Sequence, residues 1–143
     1  AFLAAGTPPT VVRVERAGER ALWRDRLAAA VPDAAVEETS ASPLGLRLRG
    51  AGRITALPGY GEGAWTVQEE GSQLVALALG VQPGEVVLDA CAGRGHKTGL
   101  LARAGGAVDA ADLHPAKLDR LREELTRLGL AARSTFAVDW SRG

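Results

Sequence analysis

Apolar and polar positions alternate over Thr10-Val11-Val12-Arg13-Val14, directly after Pro8-Pro9, which predicts a strand leaving an extended lead-in. From about Glu19 to Val31 the pattern changes period. Leu22, Trp23, Leu27 and Ala30 recur at near-helical spacing among Arg24, Asp25 and Arg26, and Pro32 ends the run, so an amphipathic helix is expected. Ala35 to Thr39 and Leu44 to Leu48 then read as two short strands. In the second, Leu44, Leu46 and Leu48 share one face while Arg47 and Arg49 share the other. The first third is therefore expected to be a small α+β unit of order β-α-β-β.

The stretch Leu57-Pro58-Gly59-Tyr60-Gly61-Glu62-Gly63 carries too many breakers for the interior of an element. It is expected to separate a small domain over residues 1–58 from a second over residues 59–143. Val67 to Leu79 is expected to be helical, with Val67, Leu74 and Ala78 available for a buried face and Gly80 as the C-terminal cap. After the turn Gln82-Pro83-Gly84-Glu85, the unbroken apolar run Val86-Val87-Leu88 suggests a strand covered on both faces. Helical residues from about Lys97 to Arg103 lead through Gly105-Gly106 into a strand over Ala107 to Asp112. Pro115 opens a helix striped by Leu118, Leu121, Leu125 and Leu128 and closed by Gly129, and Thr135 to Val138 forms a third strand. The order β-α-β-α-β predicts the first half of a parallel, doubly wound α/β sheet.

Composition narrows the class without naming a chemistry. A length of 143 residues with 46% hydrophobic content suffices for a core, and Lys+Arg balances Asp+Glu at 17 each. No global basic field announces a polyanionic partner, so any RNA contact must be local. The single cysteine excludes an intrachain disulfide and a multi-cysteine metal site, which fits a reducing cytoplasm. No apolar run approaches the roughly 20 residues of a membrane span. With no methionine anywhere, the sequence reads as an excised or processed piece of a longer protein.

The most informative segment is Val87-Leu88-Asp89-Ala90-Cys91-Ala92-Gly93-Arg94-Gly95-His96-Lys97-Thr98, a small-residue loop between an apolar strand and a helix. Backbone N–H groups at such a helix start can face an anionic ligand group, and glycine lets the ligand approach closely. Asp112 ends the next strand, where a carboxylate can accept both hydroxyls of a ribose, and Asp139 follows the third strand. Three loops at the carboxyl ends of adjacent strands would thus converge on one crevice suited to a nucleoside. A P-loop is excluded, because Lys97-Thr98 would need glycine at positions 96 and 91, which hold His96 and Cys91. A dinucleotide site for NAD stays open, since Gly93, Gly95 and Gly99 form a variant glycine fingerprint at a suitable distance from Asp112. Asp89 tilts the balance away from it: an acid there suits the ammonium group of an amino-acid moiety better than it suits the simpler role of capping the following turn.

Leu88 to Thr98 resembles the first motif of the Sun/Fmu family of RNA cytosine-5 methyltransferases, usually L-D-L-C-A-A-P-G-G-K-T. Val67-Gln68-Glu69-Glu70-Gly71-Ser72-Gln73-Leu74 is similar to the V-Q-D-x-x-S-Q-L helix that precedes that motif. The likeness extends weakly to Pro8-Pro9-Thr10 with Arg13-Val14, similar to the start of the family's accessory domain. It implies a Rossmann-like (class I methyltransferase) fold, S-adenosylmethionine as cofactor and cytosine in ribosomal RNA as substrate. It implies further that Asp89 and the loop Cys91, Ala92, Gly93, Arg94, Gly95, His96 and Lys97 hold the methionine part, Asp112 the ribose and Asp139 the adenine edge, with Trp140 packed nearby. Two departures stand out: Arg94 replaces the usual proline and His96 the second glycine.

In the family a cysteine thiolate adds to carbon 6 of the cytosine, and carbon 5 then attacks the methyl sulfonium. The motifs that carry that thiol, D-A-P-C-S-G and a later proline-cysteine pair, do not occur in this sequence. Cys91 lies in the first motif and is read as a small loop residue, not the nucleophile. No catalytic residue is therefore assigned, and the chain alone is expected to lack activity and to self-associate through an open sheet edge. His96 and His114 are isolated and are not read as metal ligands. Arg13, Arg47 and Arg49, with Arg16 and Arg53, could form an RNA-facing patch, though most charged faces are merely solvated. The alternatives are an NAD(P)-binding oxidoreductase piece and a non-catalytic RNA-binding or assembly module.

Overall fold

The computed structural model describes residues 8–142, which form two compact units meeting at Glu70 and Gly71. In the first unit, β1 (Thr10–Val14) leads through a 3-10 turn into α1 (Arg20–Ala30), followed by β2 (Ala35–Glu38), β3 (Gly45–Arg49) and β4 (Trp65–Val67). The four strands make one antiparallel sheet of order β2-β3-β1-β4. Val12 and Val14 of β1, Leu46 and Leu48 of β3, Trp65 of β4, and Trp23 and Leu27 of α1 form its core. Leu22, expected on the buried face of the helix, is 45% exposed.

β4 is the element that sequence periodicity missed. Residues from Val67 were expected to be helical, but Val12 pairs with Val67 and Val14 with Trp65, so the chain is still part of the first sheet there. The first unit accordingly runs past residue 58 to Glu70. The Gly- and Pro-containing stretch is a packed part of it, not a linker. Leu57 and Tyr60 lie against the core, and the Trp65 indole donates to the Pro58 carbonyl at 2.9 Å. Gly59, at φ +87°, has Trp23 and Trp65 so close that an added Cβ would lie 2.4 Å from the Trp23 ring.

Helix α2 (Glu70–Ala78) ends before Gly80, which sits at φ +60°. The second unit then alternates β5 (Val86–Asp89), α3 (His96–Arg103), β6 (Ala107–Asp112), α4 (Pro115–Arg127) and β7 (Ser134–Ala137). Its sheet is parallel in the order β5-β6-β7, as the β-α-β-α-β pattern predicts. Leu118, Leu121 and Leu125 of α4 pack on Ala110 of β6 and on Ala92, so the leucine stripe is core.

Val86 and Leu88 depart from expectation: they are 62% and 53% exposed, not covered on both faces. Right-handed crossovers that advance in one direction across a sheet lay both helices on the same face. Residues of β5 alternate, so Val87 and Asp89 take the helix-covered face while Val86 and Leu88 take the other, along with Phe136 of β7. Among the described residues no helix is long and apolar enough to cross a membrane.

Candidate functional site

The carboxyl ends of β5, β6 and β7 bring together Asp89, Asp112 and the Asp139-Trp140 segment, with the loop 90–95 rising from β5 into α3. This is where a parallel α/β sheet offers its binding crevice. Asp112 is the best-fixed group. It is 7% exposed, its Oδ2 accepts from the Gly93 amide and its Oδ1 from the His114 amide, both at 2.9 Å. Lys117 Nζ stands 3.7 Å from the same Oδ1. The His114 amide, then the Gly93 amide and the Lys117 charge, hold the Asp112 carboxyl below the usual carboxylate range, so it is an anion at neutral pH. His114 contributes through its backbone at the start of α4, where Pro115 takes the first helical position.

Asp89 accepts from the hydroxyl of Thr98 at 2.7 Å, and Thr98 is fully buried in the first turn of α3. This bond ties the strand end to the helix, whose N-cap is Gly95 with no side-chain cap bond. The sequence pattern assigns Thr98 no role. Its signal was a hydroxyl one turn inside a helix that starts beside an acid.

The glycines of the loop do different work. Both have positive φ, +57° at Gly93 and +85° at Gly95. A Cβ on Gly95 would lie 2.6 Å from Leu121 Cγ, whereas one on Gly93 would meet nothing within 4 Å. Gly95 therefore lets α3 and α4 approach, while the space beside Gly93 is open to a ligand. The Gly93 amide is taken by Asp112 and the Gly95 amide by the Ala92 carbonyl, so neither is left to face an anion as the loop pattern suggested.

Of the remaining loop residues, Ala92 is buried in the core, Cys91 and Arg94 are exposed, and His96 and Lys97 are half-buried in the first turn of α3. Asp139 is tied to its own turn, accepting from the Ser141 hydroxyl and amide and pairing with Arg142 at 3.1 Å; the Ser141 bonds hold its carboxyl low. Trp140 donates from Nε1 to the Ala90 carbonyl at 2.9 Å, joining the β7 loop to the β5 loop. Among the described residues no group of three or more His, Cys, Asp or Glu is placed to hold a metal ion.

In the first unit, Arg13 contradicts its expected place on an RNA-facing patch. It sits on a strand flanked by β3 and β4, is 1% exposed, and is bonded to Glu15 at 2.5 Å and to Gln68 at 2.7 Å. A guanidinium committed to a buried carboxylate and amide cannot reach a phosphate. Arg47 is half-buried, 3.9 Å from Glu70, and Arg49, Arg16 and Arg53 are exposed. A cleft of about 390 Å³ lies elsewhere, between α4 and β7, lined by Leu121, Leu125, Leu130 and Arg133 among others.

Comparison with known proteins fits this geometry. Residues 76–142 match the family model for the 16S rRNA methyltransferase RsmB/F. Ribosomal RNA small subunit methyltransferase B of Pseudomonas syringae pv. tomato is 38% identical over 130 residues, which is 87% of this chain and 28% of that protein. A probable ribosomal RNA small subunit methyltransferase B of Synechocystis is 45% identical over 94 residues, 63% of this chain and 21% of that protein. The chain thus spans less than a third of the length of these relatives. Among solved structures, a methyltransferase homolog protein from Pyrococcus horikoshii superposes with a TM-score of 0.74 at 25% identity, over 93% of this chain and 44% of that one. NSun6 from the same organism, solved with SFG, shares the fold at 13% identity and a TM-score of 0.69.

Proposed function

Because residues 76–142 make this chain a member of the Sun/Fmu-type RsmB/F methyltransferase family, we propose that its second unit is the S-adenosylmethionine-binding half of an enzyme that methylates carbon 5 of a cytosine in ribosomal RNA. The observation that carries the proposal is Asp112. It is a carboxylate ionised at neutral pH and fixed by two backbone amides at the end of the middle strand, beside a glycine with open space around it. Each of its oxygens accepts one hydrogen bond and retains a lone pair, so a ribose can bridge both.

The other assignments follow the crevice. Asp89, oriented by Thr98, is positioned for the ammonium of the methionine moiety, and the segment from Cys91 to Lys97 borders that end. Asp139 is assigned to the adenine edge. When bound, the cofactor supplies an electrophilic methyl group. The residues on hand hold and orient it, and none of them is assigned the nucleophilic role. Cys91 is exposed within the first loop and is assigned a place beside the cofactor. Contact with ribosomal RNA is assigned to the exposed arginines Arg16, Arg49 and Arg53, with Arg47 at their margin; arginine suits both phosphate binding and base stacking.

The test is calorimetric titration with S-adenosylmethionine, S-adenosylhomocysteine and NAD in parallel, on the wild type and on Asp112→Ala. Binding of the first two ligands, weakened at least about ten-fold in the variant, is expected from the loss of a charge-assisted bidentate contact. Binding of NAD alone would overturn the assignment in favour of a dinucleotide site. RNA binding with no cofactor binding would favour a non-catalytic module.

A further inference from the structure

The cleft between α4 and β7 takes no part in the chemistry assigned above. Its walls come from the second half of α4 and from the segment that enters β7, so it lies toward the amino end of that strand, whereas the crevice lies past the carboxyl end. Leu121 and Leu125 are buried and Leu130 is half-buried, while the side chains of Arg122 and Arg133 are 52% and 51% exposed. The cleft, of about 390 Å³, is thus apolar in its depth and cationic at its mouth, and no acid lines it.

The strand beside it has an open edge. In the order β5-β6-β7, β7 is the last strand among the described residues and is paired only with β6, from Ser134 to Ala137. Successive residues of a parallel strand turn their N–H and C=O groups to opposite sides, so half of those groups in β7 face away from β6. Such an edge is a template for another extended chain. Thr135 belongs both to this strand and to the cleft wall, so edge and cleft are contiguous. Where a groove runs between a helix and an edge strand, a peptide can add as one more strand, with backbone bonds supplying affinity and alternate side chains entering the groove.

The charge at the mouth selects the partner. Arg122 donates from Nε and one terminal nitrogen to the Thr135 hydroxyl and from the other to Asp119, and Arg133 holds Asp109 with two N–H groups. A guanidinium carries five N–H groups, so both arginines keep donors for a second carboxylate. Single-stranded nucleic acid is the poorer match, because no aromatic ring lines the cleft to stack a base.

We infer that the β7 edge and the α4 cleft form a docking surface for an extended acidic peptide segment of another protein. The segment adds as a strand beside β7 and seats an apolar side chain on Leu121, Leu125 and Leu130. A carboxylate two residues away, on the same face of the added strand, meets Arg122 or Arg133. This surface does not depend on what the crevice binds.

The test is fluorescence anisotropy of labelled peptides on the whole chain. The peptide T-E-T-L-T-E-T places its leucine and both glutamates on one face of a strand. Its comparators are T-K-T-L-T-K-T and a version of the acidic peptide methylated at every internal backbone nitrogen, which cannot donate to β7. The acidic peptide should bind, and each comparator should bind about ten-fold more weakly. Arg122→Glu should weaken the acidic peptide about ten-fold and strengthen the lysine peptide, a reversal that loss of the Thr135 contact alone would not produce. Unfolding midpoints are measured alongside. In nuclear magnetic resonance spectra the acidic peptide should shift the amide signals of Arg133 to Ala137 and leave that of Gly93 in place. The inference fails if the acidic peptide does not bind, if backbone methylation changes nothing, or if Arg122→Glu does not reverse the preference. Octauridylate binding that Arg122→Glu abolishes, without peptide binding, would make this an RNA surface instead. Self-association abolished by the same variant, again without peptide binding, would make the occupant a second copy of this chain; either result overturns the inference.

Discussion

Gly95→Ala is the substitution for which the structure gives the sharpest energetic expectation. Gly95 sits at φ +85°, and its missing Cβ would lie 2.6 Å from Cγ, 3.2 Å from Cδ1 and 3.3 Å from Cβ of Leu121. Leu121 is fully buried among Ala92, Ala110, Leu118 and Leu125, so displacing it breaks up that packing. Two costs add. A left-handed backbone costs an L-residue about 1–2 kcal/mol, and overpacking a filled core costs about 1–3 kcal/mol. The expected loss is about 2–5 kcal/mol, which for a unit of this size is a fall of at least about 8 °C in its melting temperature. Gly93→Ala provides the internal control, since it carries the backbone cost at φ +57° but meets no atom within 4 Å, and should lose only about 1–2 kcal/mol. The assay is urea unfolding followed by far-ultraviolet circular dichroism, with Leu121→Ala and the double variant completing a cycle. In the Leu121→Ala background the 2.6 and 3.2 Å contacts are gone and only the 3.3 Å contact to Cβ remains, so the loss for Gly95→Ala should fall most of the way to that of Gly93→Ala. Equal losses for the two glycines in the wild-type background would refute the packing argument.

Two further perturbations separate a structural arginine from one proposed to contact RNA. Arg13→Ala breaks a buried ion pair with Glu15 and removes a hydrogen bond to Gln68, so it should destabilise the protein by about 3–5 kcal/mol in urea unfolding. Exposed Arg49→Ala should leave stability within about 0.5 kcal/mol while weakening RNA binding and reducing its salt dependence by about one ion. An Arg13→Ala variant with an unchanged urea midpoint would contradict the structural role. Asp109 is held at about 2, below its ordinary 3.8, by Arg133 and Ser134. A carboxyl with a lowered folded-state pKa stabilises the fold above its ordinary value and loses that contribution as pH falls through the lowered one. The wild type should therefore out-melt Arg133→Gln at neutral pH, with the gap closing between about pH 4 and pH 2; a gap that widens on acidification would show the pair is not stabilising.

The second unit was legible in the sequence because its signals are local. Pro115, the Leu118-Leu121-Leu125-Leu128 stripe and Gly129 each act within a few turns of one helix, and Ala107–Asp112 forms the strand expected from its own run. The residues of the crevice were legible for a related reason, since loops after parallel strands must meet at one end of the sheet. What those residues touch was not. The Gly93 amide is consumed by a carboxylate nineteen residues away, and Trp140 finds a carbonyl fifty residues away; neither partner leaves a mark at the other's position in the chain.

The first unit shows the same division more severely. Periodicity, turns and the order of elements are readable from the chain, because they follow from the backbone geometry of neighbouring residues. That Trp65-Thr66-Val67 is a strand emerges only on folding, since three residues carry too little pattern and the assignment comes from pairing with β1, some fifty positions earlier. The burial of Arg13 and the exposure of Val86 and Leu88 likewise depend on contacts made in the folded chain. Alternation along a strand says which residues share a face, but whether that face is covered depends on which other elements fold onto it.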